Sequence, residues 1–109
     1  MLTYSNKKGK QVELTVTRHA YIKFIERYPR AFPDDPLQKE SLPGIFERIF
    51  STTTKVKNLN RCERKRLQKH GQDSMFFRTN AFTFVVQNAK VITVELSDNG
   101  KRHLNKAIA

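Results

Sequence analysis

One cysteine, Cys62, in 109 residues excludes an intrachain disulfide and a zinc site built of four cysteines. A thiol content this low fits a reducing compartment, and the cytoplasm is the expected location. The opening stretch from Met1 to Lys8 has no apolar core of the secretory kind, and no run is long enough to cross a bilayer. Nor does any segment combine an apolar stripe with a lysine-rich one as an interfacial anchor would, so no membrane partner is expected. Glycine-rich phosphate loops, HExxH pairs, nucleophile elbows and paired-aspartate nuclease patterns are all missing. Covalent and metal catalysis therefore have no support, and no cofactor or metal is expected. Asp34 and Asp35 sit between prolines, where adjacent carboxylates serve as turn and cap residues.

Acidic residues are scarce as well: 10 Asp and Glu face 21 Lys and Arg, a formal net charge of +11. Such an excess repels itself unless a polyanion or an acidic partner screens it, which makes nucleic acid the first partner to consider. The densest positive stretch carries Lys55, Lys57, Arg61, Arg64, Lys65, Arg66 and Lys69 against one acid, Glu63. Each cation that meets a phosphate releases condensed counterion, so this segment is expected to bind nucleic acid strongly and without sequence choice. An idle solvated loop and a docking surface for an acidic protein are the alternatives.

A hydrophobic content of 38% with eight phenylalanines identifies a folded chain with a Phe-rich core, and its length allows one domain over residues 1–109. The expected class is α+β: an amino-terminal strand or hairpin, then two helices packed on one face of an antiparallel sheet. Leu2 to Tyr4 and Val12 to Val16 flank the turn residues Asn6 to Lys10. Thr17 suits an N-cap, and a helix from there should end near Tyr28, because Pro29 disfavours helical backbone in the residue before it. Leu42, Ile45, Phe46, Ile49 and Phe50 recur at the spacing of a helix packed on one side, with Pro43 in the first turn. Three β-rich runs follow, 75–79, 82–86 and 90–96, divided by turns at 79–81 and 87–89. Alternation puts Phe82, Phe84, Val86, Ile92, Val94 and Leu96 against the helices and leaves Thr83, Val85, Thr93 and Glu95 on an open, polar face. Asn99 to Lys106 reads as a turn into a short basic helix or a frayed end.

Chemistry concentrates at Arg18 to Arg27. On a helix His19, Lys23, Glu26 and Arg27 share an arc of about 100°, opposite Ala20, Tyr21, Phe24, Ile25 and Tyr28. An imidazole, a carboxylate and two cations suffice for metal-free acid–base work on a phosphodiester. Phe76 and Arg78 share a strand face by parity, where a ring can stack a base while a guanidinium grips its phosphate. His70 and His103 lie in basic surroundings that imply solvated imidazoles, and Cys62 has no catalytic partner pattern.

His19-Ala20-x-x-Lys23-x-x-Glu26-Arg27, followed much later by Phe82 to Val86 and Val91-Ile92-Thr93-Val94, resembles small bacterial toxin domains. Those domains open with His-Ala-x-x-Arg-x-x-Glu-Arg and close on an Ile-Thr-Val strand. They are similar to the BrnT and RelE toxins, within the ribonuclease fold shared by barnase, EndoU, colicin and RelE. The resemblance covers about a third of the chain and implies a toxin-type endoribonuclease in which the RNA 2′-hydroxyl attacks the adjacent phosphorus. His19 would be acid or base, Glu26 its partner, and Lys23, Arg27 and Arg78 would hold phosphate. Thr93 would be a hydrogen-bonding neighbour and Phe76 a stacking platform. Lys23 replaces the usual arginine, keeping charge but losing the bidentate fork. The alternatives are a nucleic-acid-binding module without a reaction, or the basic half of a complex with an acidic antitoxin-like protein. All catalytic versions require His19 and Arg78 to converge.

Overall fold

The alternating segment before the first helix breaks in two at Leu14. Thr3–Ser5 (β1) and Gln11–Glu13 (β2) form an antiparallel hairpin. Its turn places Gly9 at φ +76°, a backbone conformation that costs glycine nothing, while the Asn6 side-chain carbonyl accepts from the N–H groups of Lys8 and Lys10. Leu14 is buried in the core. Beyond it, Thr15–Val16 (β3) leaves the hairpin and runs parallel to the last strand, with Val16 opposite Val91. The computed structural model describes residues 2–35, 37, 41–57, 59, 61–70 and 74–96, apart from the side chains of Cys62, Arg66 and His70. The expectations for Asn99 to Lys106 and for the imidazoles of His70 and His103 lie outside the described residues.

Thr17 caps the first helix, Arg18–Ala31 (α1): its Oγ1 accepts from the Ala20 N–H at 3.1 Å. Its own N–H donates to the Val91 carbonyl, which ties the helix start to the final strand. The helix does not stop at Tyr28 but continues through Pro29. Proline there removes one helical hydrogen bond, and the last turn is kept by packing. Ala31 is buried, the Phe32 N–H closes on the Tyr28 carbonyl, and the Phe32 ring lies 5.1 Å from Tyr28 and 5.9 Å from Phe82. Leu42–Ser51 (α2) forms as its apolar stripe dictates, with Phe46 and Phe50 buried. Phe24 meets Phe46 at 4.9 Å and Phe82 at 5.4 Å, while Phe84 lies 5.2 Å from Phe46 and 5.3 Å from Phe50. Ring pairs of this kind add about 0.5–1.5 kcal/mol each beyond their buried area, so the core is largely a phenylalanine lattice.

The carboxyl-terminal meander consists of Met75–Arg78 (β5), Phe82–Gln87 (β6) and Lys90–Leu96 (β7). It gains two short neighbours, giving a five-stranded sheet in the order β3-β7-β6-β5-β4 with β4 at Thr54–Lys55. The chain is thus α+β, with an amino-terminal hairpin and a mixed sheet. A bulge between Val85 and Val86 shifts the pairing so that Val86 faces Val91 and Val85 faces Thr93. Val91 consequently takes the fully buried position expected of Ile92, which is left half-buried.

The second face of the sheet is not open. Phe76, Thr83, Val85 and Thr93 on that side are all buried. A third helix, Arg61–His70 (α3), is tied to that side through Arg78 and forms where the sequence pattern implies two helices and no third. Its residues are mostly straight-chain types that lose little rotamer freedom in a helix. α3 is anchored by Glu63, whose Oε1 accepts from Arg78 Nη2 in an ion pair. Among the described residues, no helix is long and apolar enough to cross a membrane.

Candidate nucleic-acid interface

The one acid of the basic segment points inward. Glu63 is 4% exposed and bound to Arg78, and Leu67, one turn further on, is half-buried. Docking that side leaves Arg61, Arg64, Lys65, Gln68 and Lys69 in solvent. At 100° per residue these span about 140° of the helix circumference, and no carboxylate stands among them. Arg61, Lys65 and Lys69 are successive i,i+4 neighbours, and like charges so placed destabilise a helix by a few tenths of a kcal/mol per pair. The fold tolerates that repulsion because the opposite side of α3 is tied to the sheet. The result is a cationic ridge about 12 Å long, and the exposed Lys55 and Lys57 precede it in the chain.

The residues proposed for acid–base work are distributed otherwise. His19 is exposed in the first turn of α1, and Lys23 Nζ donates to Glu26 Oε2 at 3.3 Å across an exposed pair. Arg27 is half-buried, with Nη1 sealed from solvent and without a hydrogen-bond partner among the described residues. Arg78 lies elsewhere. It pairs with Thr83, next to Phe82 whose ring faces α1, so Arg78 points from the opposite side of the sheet. His19 is level with the start of β7, through the Thr17–Val91 bond, whereas Arg78 is level with Glu95 near its end. Two strand spacings, about 10 Å, also separate β5 from β7. The structure does not bring His19 and Arg78 to a common phosphate.

Two further site residues are enclosed. Phe76 is 2% exposed and offers no ring for stacking, and Thr93 is 7% exposed beneath the same face. Parity places Phe76 and Arg78 on one side of the sheet, but alternation within a strand carries no sign that this side is covered. Among the described residues, no three His, Cys, Asp or Glu side chains gather as a metal site would require.

A cleft of about 810 Å³ opens at the far end of the sheet, between the ends of α1 and α2, β4 and the β5–β6 turn. Phe32, Ile49, Val56 and Ala81 supply apolar wall, while Thr52, Thr54, Thr79 and Asn80 supply hydroxyl and amide groups. Lys55 and Lys57 stand at the same opening. Thr79 Oγ1 accepts from the N–H groups of Ala81 and Phe82, which holds the turn in place. Phe32 is 37% exposed, a large apolar ring left in water at a basic cleft. Nothing local in the sequence shows that the helix runs through Pro29 and delivers the Phe32 ring here.

Beside the cleft the Tyr28 hydroxyl donates to Asp35 Oδ2 at 3.0 Å. Burial, then the hydrogen bond to Asp35 and its charge, push the Tyr28 pKa above its ordinary value of 10.0, with Arg48 opposing. No protein-family model matches the chain, and no curated protein or solved structure matches it significantly.

Proposed function

We propose that this protein is a nucleic-acid-binding domain whose primary phosphate-binding surface is the outer side of α3. The observation that carries this reading is the fate of Glu63. By burying the segment's only carboxylate against Arg78, the fold leaves an all-cationic surface of Arg61, Arg64, Lys65 and Lys69. Four cations on one helix side are a poor choice for an idle surface and a good one for a row of phosphates. A toxin-type endoribonuclease is less well supported, because His19 and Arg78 lie on different sides of the sheet and Phe76 and Thr93 are buried. The basic half of a complex with an acidic antitoxin-like protein would use the same ridge, but nothing in its shape selects a protein over a polyanion.

With four phosphates neutralised, affinity for a single-stranded 20-mer RNA should fall about 50-fold between 50 and 200 mM salt, following a log–log slope near −0.7 per contact. Fluorescence anisotropy titrations measure this directly. Exchanging Arg64 and Lys65 together for Glu should weaken binding at least tenfold and flatten the slope, whereas His19→Ala should leave affinity unchanged and RNA uncut. No binding at 50 mM salt, or full affinity in the doubly reversed protein, would overturn the proposal. RNA cleavage that disappears in His19→Ala would restore the enzymatic reading.

A further inference from the structure

We infer that the cleft beside β4 is a pocket for one unpaired nucleobase and its phosphate, which makes the domain selective for single strands. The inference rests on the nucleic-acid reading above and adds a site to it. The cleft volume, about 810 Å³, falls within the range of roughly 300–1,000 Å³ typical of small-molecule sites, and a nucleotide has room in it. Its chemistry is divided as a nucleotide is divided. Phe32, exposed on one side and held on the other by Tyr28 and Phe82, is a fixed ring on which a base can stack. Ile49 and Val56 extend the apolar wall.

The Thr54 hydroxyl can serve a base edge or sugar as donor or acceptor, while Thr52 Oγ1, whose hydrogen goes to the Ile49 carbonyl at 2.7 Å, can accept. Lys55 and Lys57 bring positive charge to the mouth, where a phosphate must remain partly in water. Arg78 lines the same cleft and is bound to Glu63 of α3, so the helix that carries the cationic ridge is anchored at the cleft wall. A base inside a duplex cannot enter, because its faces are stacked and its edge is paired. Stacking on an aromatic side chain is sequence-tolerant, and the pocket therefore distinguishes paired from unpaired bases rather than one base from another.

The test titrates the full chain with four probes: a 12-nucleotide single-stranded RNA, the DNA of the same sequence, the corresponding duplex DNA, and adenosine monophosphate. The single strands carry one 2-aminopurine, whose fluorescence reports stacking. The expected result is preferential binding of single strands over duplex, a fluorescence change on binding, and competition by millimolar adenosine monophosphate. Equal RNA and DNA affinities assign recognition to base and phosphate, and a preference for RNA adds the ribose 2′-hydroxyl to the contacts. Phe32→Ala should weaken single-strand binding about tenfold and leave duplex binding unchanged, while Phe32→Tyr should retain it.

Because Phe32 also packs on Tyr28 and Phe82, the exposed pair Lys55→Glu and Lys57→Glu provides an independent variant. It should abolish competition by the mononucleotide. Equal affinity for single strand and duplex, with no effect of Phe32→Ala, would overturn the pocket while leaving the α3 ridge intact. Failure of every probe to bind would remove both proposals.

Discussion

Tyr28 shows how one side chain can serve packing and titration together. Its ring is sandwiched in the aromatic lattice by Phe24, Phe32 and Phe82, while its hydroxyl reaches Asp35. Because the folded-state pKa lies above the ordinary value of 10.0, folding favours the neutral phenol. That contribution is fully present below about pH 10 and is lost as pH rises through the folded-state value. Urea unfolding from pH 8 to 11 should show a declining midpoint above pH 10. Tyr28→Phe should make that decline shallower while costing about 1 kcal/mol at pH 7. An unchanged alkaline limb in the variant would show that the phenol is not responsible. The sequence did reveal the apolar side of Tyr28, through its helical spacing, and it marked Asp35 as a turn residue. Their hydrogen bond was not legible, because it requires α1 to outlast Pro29.

Among the elements, the β6–β7 hairpin carries local strain. Asn88 and Ala89 have φ of 53° and 59°, the double positive values of a tight two-residue turn in which the second position prefers glycine. Asparagine tolerates this backbone, whereas alanine brings its Cβ too close to the following carbonyl. The turn persists because it closes the central strand pair and because the Ala89 carbonyl accepts from the Thr15 N–H, linking β3 to the sheet. Ala89→Gly should therefore raise stability by about 1 kcal/mol, measured as a higher urea midpoint with an unchanged slope. A loss of stability would show that the methyl group's packing outweighs the strain. The meander was readable because β-branched and aromatic runs alternated with turn residues. The bulge was not, since nothing in Val91-Ile92-Thr93 indicates which residue will be doubled against Val86. Thr54–Lys55 was equally silent: two residues have no periodicity, and only the exposed edge of β5 makes them a strand.

For the whole molecule, the governing quantity is the net charge of +11. Self-repulsion of that size weakens the compact state, and salt screens it over a Debye length of about 10 Å at 0.1 M. Thermal unfolding midpoints should therefore rise by a few degrees between 20 and 300 mM sodium chloride. A single-stranded oligonucleotide at low salt should raise them further, because a ligand bound only by the folded state stabilises it by mass action. A midpoint that falls under both additions would argue against the charged surface as a binding surface.

Composition and periodicity by themselves determined the α+β class, the two helices of the first face, the central antiparallel strands and the cationic character of residues 55–69, because burial pattern and charge are local properties of a chain. Which way Glu63 turns, whether Phe76 meets solvent, how far His19 stands from Arg78 and where Phe32 emerges were decided only by the tertiary structure. Each of those depends on which surface a neighbouring element covers, and covering is a relation between residues distant in sequence.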